Sequence, residues 1–167
     1  MIDLLKNLPK QPVTMTIDGA EIELKYQDEL VFDEETINSD LKDQPSFFAW
    51  YAVLHEKANK ALSVLKMTLD ILNASLASDI RKAAFLGAEK KPTEKYIEEQ
   101  IMMTESYQEA QIKVFEAQKN LGILRGIKDA FIHRKDMLVT LGANMRVQMD
   151  ADIYVKRQEI EGTDIKK

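Results

Sequence analysis

Cysteine is absent from the 167 residues, which excludes disulfides, zinc–thiolate sites and thiol catalysis. Histidine is scarce: His55 and His133 are the only two, too few for a histidine metal cluster or a paired base. His55-Glu56 has no second histidine at metalloprotease spacing, and His133 sits between Ile132 and Arg134-Lys135, so a helix-surface role is expected. Asp150 and Asp152 lie two apart on a predicted helix and point to different sides. The phosphate-loop, dinucleotide, H-E-x-x-H and nucleophile-elbow motifs are all missing. We therefore expect no enzyme activity, no cofactor and no metal. Four prolines and six glycines are too few for a loop-dominated or low-complexity chain. No apolar run reaches the roughly 18 residues of a membrane span, and Met1-Ile2-Asp3 opens without the basic flank and apolar core of a secretion signal. A cytoplasmic location without membrane contact is expected.

What is present is a helix-leaning composition, 45% apolar and 31% charged, of single-domain size. The net charge of −5 is unevenly spread. Residues 1–45 hold eleven Asp/Glu against four Lys, whereas residues 46–167 hold seventeen against nineteen Lys/Arg. The body is thus slightly basic, and a low overall pI does not exclude a polyanionic partner.

Three segments follow from the patterning. Residues 1–45 read as an acidic segment carrying a β-hairpin over 13–24. Val13, Met15 and Ile17 alternate with threonines, Asp18-Gly19 makes the turn, and Ala20, Ile22 and Leu24 alternate with glutamates. Asp-Gly favours a two-residue type I′ turn, which pairs Ile17 with Ala20, Met15 with Ile22 and Val13 with Leu24 and puts all six on one face. Residues 27–45, punctuated by Pro45, read as a connector with at most one short helix.

Residues 46–161 read as a long helical hairpin. Leu54, Ala58, Ala61, Leu62, Leu65, Leu69, Leu72, Leu76 and Ile80 form one helical stripe. Val64, Met67, Ile71 and Ala74 form a second, and a helix apolar on two sides usually has more than one partner. After a loop at 87–93, Thr93 is the expected N-cap of a helix from Glu94, with a restart near Thr104 or Ser106. The later stripe runs through Tyr107, Val114, Leu121, Leu124, Phe131 and Leu138. Lys128 and Lys135 then fall on the seam while Ile127, Ala130, Met137 and Leu141 take over one face. Residues 162–167 read as a flexible tail. The expected fold is mainly α, a long antiparallel helical hairpin forming a ring-like homo-oligomer, with a small N-terminal β-hairpin.

Gly122, Gly126 and Ala130 recur every four residues. A mid-helix glycine costs about 1 kcal/mol relative to alanine, so a close helix crossing is expected at this face. Basic residues gather at two places. The first is Arg81, Lys82, Lys90, Lys91 and Lys95, with Phe85 beside them. Such cations suit a helix C-terminus, or they bind phosphates while the aromatic stacks on a base. The second is Arg125, Lys128, Arg134 and Lys135, as surface charges, interface partners or an alternative nucleic-acid site.

Over about residues 28–146 the chain resembles the UvsY-type recombination mediators of tailed phages. The resemblance is carried by Glu29-Leu30-Val31-Phe32-Asp33, Phe48-Ala49-Trp50-Tyr51 and Ile80-Arg81-Lys82-Ala83-Ala84-Phe85-Leu86-Gly87. Lys91-Pro92-Thr93-Glu94, Tyr107-Gln108-Glu109-Ala110, Gly126-Ile127-Lys128-Asp129-Ala130-Phe131 with Arg134, and Leu141-Gly142-Ala143-Asn144-Met145-Arg146 extend it. It implies a helical ring in the host-cell cytoplasm that binds single-stranded DNA. It also implies contact with a single-strand-binding protein and a RecA-like recombinase, whose loading the ring assists. Arg81 matches the family's basic segment before a glycine, with Lys82 adjacent in altered order; of the family's aromatics there, only Phe85 is kept. The hairpin lies outside the family pattern. A different class of function fits the residues too: a purely structural or protein-binding helical oligomer, such as a virion component or a host-factor inhibitor.

Overall fold

The computed structural model describes residues 12–17, 19–87 and 92–164, excepting the side chains of 85–87 and 158–164. The protein is mainly helical with one two-stranded antiparallel sheet. Strands β1 (Val13–Ile17) and β2 (Ala20–Leu24) are followed by α1 (Tyr26–Glu29), α2 (Ile37–Gly87), α3 (Glu94–Met102) and α4 (Glu105–Asp164). The hairpin register is Ile17↔Ala20, Met15↔Ile22 and Val13↔Leu24, as the two-residue turn dictates. Gly19 adopts φ +79°, a conformation open to glycine without penalty. Met15, Ile17 and Leu24 are buried while Thr14, Thr16, Glu21 and Glu23 face outward.

Helix α2 opens at Ile37, ahead of the boundary at 46, and Pro45 lies inside it. The start is fixed by a reciprocal cap. The Thr36 amide donates to Asp33 Oδ1 at 2.9 Å and the Asp33 amide donates to Thr36 Oγ1 at 3.3 Å. Such mutual bonds satisfy amides that have no partner in the first turn. A proline in a helix interior removes one backbone bond and costs about 3 kcal/mol. The residues before it are held by tertiary contacts described below, and Pro45 itself is exposed, so the helix continues through it. Thr93 caps α3 by accepting from the Tyr96 amide at 3.3 Å, and the chain restarts at Glu105 after a break at Met103 and Thr104. Helix α4 continues to Asp164, so Gly162 is helical rather than the start of a tail.

The chain divides into two compact units. The first comprises, of the described residues, 25–51 and 127–164. Its α2 and α4 segments run antiparallel: a Cβ at Gly142 would meet Ile37 Cδ1 at 3.5 Å, and Gln44 reaches Phe131. Its core is aromatic, with Phe131 stacked on Tyr51 at 5.0 Å and on Phe47 at 5.9 Å between centroids. The second unit comprises residues 12–24 and 52–126. Its core is aliphatic: Met15, Ile17, Leu24, Leu54, Ala58, Leu62, Ile97, Ile101, Val114 and Leu124 are buried. Here the second α2 stripe stays uncovered, with Val64, Met67 and Ile71 about half exposed or more (47%, 57% and 63%).

Candidate nucleic-acid interface

The first basic cluster is assembled by the end of α2 and the start of α3. Arg81 Nη2 donates to Glu94 Oε2 at 2.7 Å, joining the two helices across the connecting loop. Lys82 Nζ lies 3.6 Å from Asp79 and Lys95 Nζ 4.0 Å from Glu99, each within its own helix. Every one of these side chains is more than half exposed. Ion pairs of this kind contribute about 0–1 kcal/mol, so an incoming phosphate can replace the carboxylates at little cost. The Phe85 side chain, Lys90 and Lys91 fall outside the described residues; the cluster is described for Arg81, Lys82 and Lys95.

The second cluster does not form a patch. Arg134 is 3% exposed. Its Nη2 donates to Asp40 Oδ1 at 2.6 Å and its Nη1 to Gln44 Oε1 at 2.7 Å, while Gln44 Nε2 donates to the Phe131 carbonyl at 2.6 Å. The guanidinium also lies over the Phe32 ring, 5.6 Å from its centroid. Arg134 is therefore a structural residue of the first unit, corrected from a candidate DNA contact. The reason lies in its spacing: Ile127, Phe131, Arg134 and Leu138 are the buried positions of this stretch, a 3–4 seam in which arginine takes an apolar slot. The seam runs through 127 and 134, not through Lys128 and Lys135, and Met137 is exposed. Lys135 is exposed and pairs with its neighbour Asp136 at 3.1 Å, Arg125 is exposed, and Lys128 is half-buried.

Among the described residues, the close crossing expected at the glycine stripe is not formed within a single chain. A Cβ built on Gly122 or Gly126 meets nothing within 4 Å, and both are exposed, so neither sits at a close crossing within the chain. Ala130 is half-buried.

Tyr51, buried in the first unit, donates its hydroxyl to Glu29 Oε2 at 2.7 Å. Burial, and then the bond to the Glu29 carboxylate, push its phenol well above the ordinary value. The residue is a core anchor for α1. Among the described residues no group of three or more His, Cys, Asp or Glu side chains could hold a metal, and no helix is long and apolar enough to cross a membrane.

Sequence reasoning passed over a cleft of about 560 Å³ in the second unit, between the hairpin and the facing parts of α2 and α4. Lys60, Lys113 and Lys119 line it together with Thr14 and Thr16 of β1. The lysines are scattered over 59 positions of sequence between 60 and 119, so no local cluster marks them. No protein-family model, curated protein or solved structure matches this chain.

Proposed function

We propose that the chain is a non-catalytic recombination mediator. In this reading it self-associates through its helices in the host-cell cytoplasm, binds single-stranded DNA and helps load a RecA-like recombinase in place of a single-strand-binding protein. The observation that carries the DNA-binding part is the Arg81–Glu94 bridge, which brings exposed cations from the end of α2 and the start of α3 together. Exposed cations can meet a flexible polyanion, and those held only by surface carboxylates exchange them for phosphates. The ring-like assembly is supported by the uncovered Met67 and Ile71 of the second α2 stripe: exposed apolar residues on one helix face mark an interaction surface. Binding of a labelled oligo-dT at low salt, followed by fluorescence anisotropy, tests the reading. Saturable binding that weakens with added salt is expected; absence of binding rejects the mediator function.

The same stripe favours a second reading, a structural or protein-binding helical oligomer without nucleic-acid affinity. Light scattering separates the two when run with and without the oligonucleotide. Both require a species larger than a dimer, but only the mediator gains mass with DNA.

A further inference from the structure

The cleft beside the hairpin contrasts with the helix-turn cluster in one respect. At the turn, Arg81, Lys82 and Lys95 are each within ion-pair distance of a carboxylate. Lys60, Lys113 and Lys119 make no ion pair among the described residues, although Glu21 and Glu116 also line the cleft. Three lysines against two carboxylates leave the lining of this concavity with a positive balance, which favours an anion. The cleft also has an apolar part, formed by Ala61, Val64, Leu65 and Ala117, and its volume of about 560 Å³ lies within the roughly 300–1,000 Å³ of small-ligand sites. Thr14 and Thr16 of β1 also border the cleft.

We propose that this cleft binds a nucleoside-phosphate unit, with the base on the apolar part and the phosphate among Lys60, Lys113 and Lys119. Lysine suits this role because its ammonium is a mobile point charge that accommodates phosphates in varied poses. The ligand has two possible sources, one nucleotide of a bound single strand or a free nucleotide. The first rests on the single-strand-binding function proposed above; the second does not. In either case the hairpin gains a role as one wall of the site. The cleft is separate from the Arg81 cluster in its residues and supplies a second set of phosphate contacts. Glu21 and Glu116 weaken anion binding there, so their neutral variants bind more tightly.

Lysine acetylation footprinting of the full chain tests this without relying on variants. The probes are oligo-dT, ATP and poly-glutamate, each at matched charge concentration. Oligo-dT or ATP is expected to protect Lys60, Lys113 and Lys119 several-fold. Protection by oligo-dT alone identifies the single strand as the source, and protection by ATP at micromolar concentration identifies the free nucleotide. Equal labelling with and without both probes overturns the site. Protection by poly-glutamate as strong as by oligo-dT also overturns it, in favour of an acidic protein segment. Protection of Lys82 and Lys95 without the cleft lysines overturns the cleft while leaving single-strand binding at the turn intact. A Lys60→Ala, Lys113→Ala, Lys119→Ala variant adds a quantitative check. Loss of the one phosphate contact that the three lysines share lowers the slope of log affinity against log salt for oligo-dT by about 0.7. Glu21→Gln with Glu116→Gln should raise affinity for the ligand that protects. Where oligo-dT is the protecting ligand, an unchanged slope in the triple variant contradicts the proposal; where ATP is, unchanged ATP affinity in that variant contradicts it.

Discussion

The two units differ in whether a charge enters the core. In residues 25–51 and 127–164, an arginine takes a buried seam position and is answered by Asp40 and Gln44, with Phe32 against its guanidinium. In residues 12–24 and 52–126 the core is aliphatic, and Arg81, Lys82, Lys95, Lys60, Lys113 and Lys119 are exposed. Arg134 and Arg81 therefore belong to different chemistries although both sit in basic clusters of the sequence. A buried charge with fixed partners specifies how helices register, whereas an exposed one with a replaceable partner remains available to a ligand. A cluster of cations in sequence is thus informative about binding only after the buried members are removed.

The contrast is broken most severely at Arg134. Arg134→Ala leaves Asp40 and Gln44 without their buried partner, and loss of one member of a buried pair costs about 3–5 kcal/mol. Urea denaturation should show that loss, while Arg125→Ala, on the exposed face, should stay within about 0.5 kcal/mol of the parent. Equal effects would dissolve the distinction between the clusters.

Tyr51→Phe keeps the ring stack on Phe131 but removes the hydroxyl donor to Glu29. Hydrogen bonds to charged groups contribute about 1.5–3 kcal/mol, and a loss of that order is expected. The pH dependence has a definite sign. The folded-state phenol is raised above its ordinary value of 10.0, so its share of stability is complete below about pH 10 and declines as pH rises further. Stability curves of the parent and Tyr51→Phe should therefore converge at alkaline pH.

Gly126→Ala sharpens the comparison from the exposed side. With open space around the added Cβ, the helix should gain about 0.5–1 kcal/mol, read as a raised melting temperature. If the variant instead loses assembly mass in light scattering, Gly126 belongs to a contact between copies. A small stability change is also expected for Arg81→Ala with Lys82→Ala. Their ion pairs are exposed, so the loss in urea denaturation should stay below about 1 kcal/mol per pair.

The legible parts of the fold are those coded by neighbours. The hairpin register follows from Asp18-Gly19 and six alternating apolar residues, and the Thr93 cap from its position before Glu94. The start of α2 was obscured by Pro45, because the contacts that carry the helix through it come from residues 87 to 94 positions away. The same distance hid the partners of Arg134. Its spacing of three from Phe131 and four from Leu138 was a readable sign of a seam position. Glycines at 122 and 126 suggested close packing by their period alone, but their face is open. Of the candidate site, the helix-end cations were visible as a cluster, whereas the cleft lysines are brought together only by folding.

The central claim is that exposed cations at the α2–α3 turn bind single-stranded DNA. Its most direct test is the salt dependence of oligo-dT affinity for the parent and for the Arg81→Ala, Lys82→Ala variant, at equal helix content and assembly mass. Each lost phosphate contact removes about 0.7 from the slope, so the variant should bind more weakly at moderate salt, with a slope shallower by up to about 1.4. Parallel slopes and equal affinities, or no binding by the parent at low salt, would contradict the account.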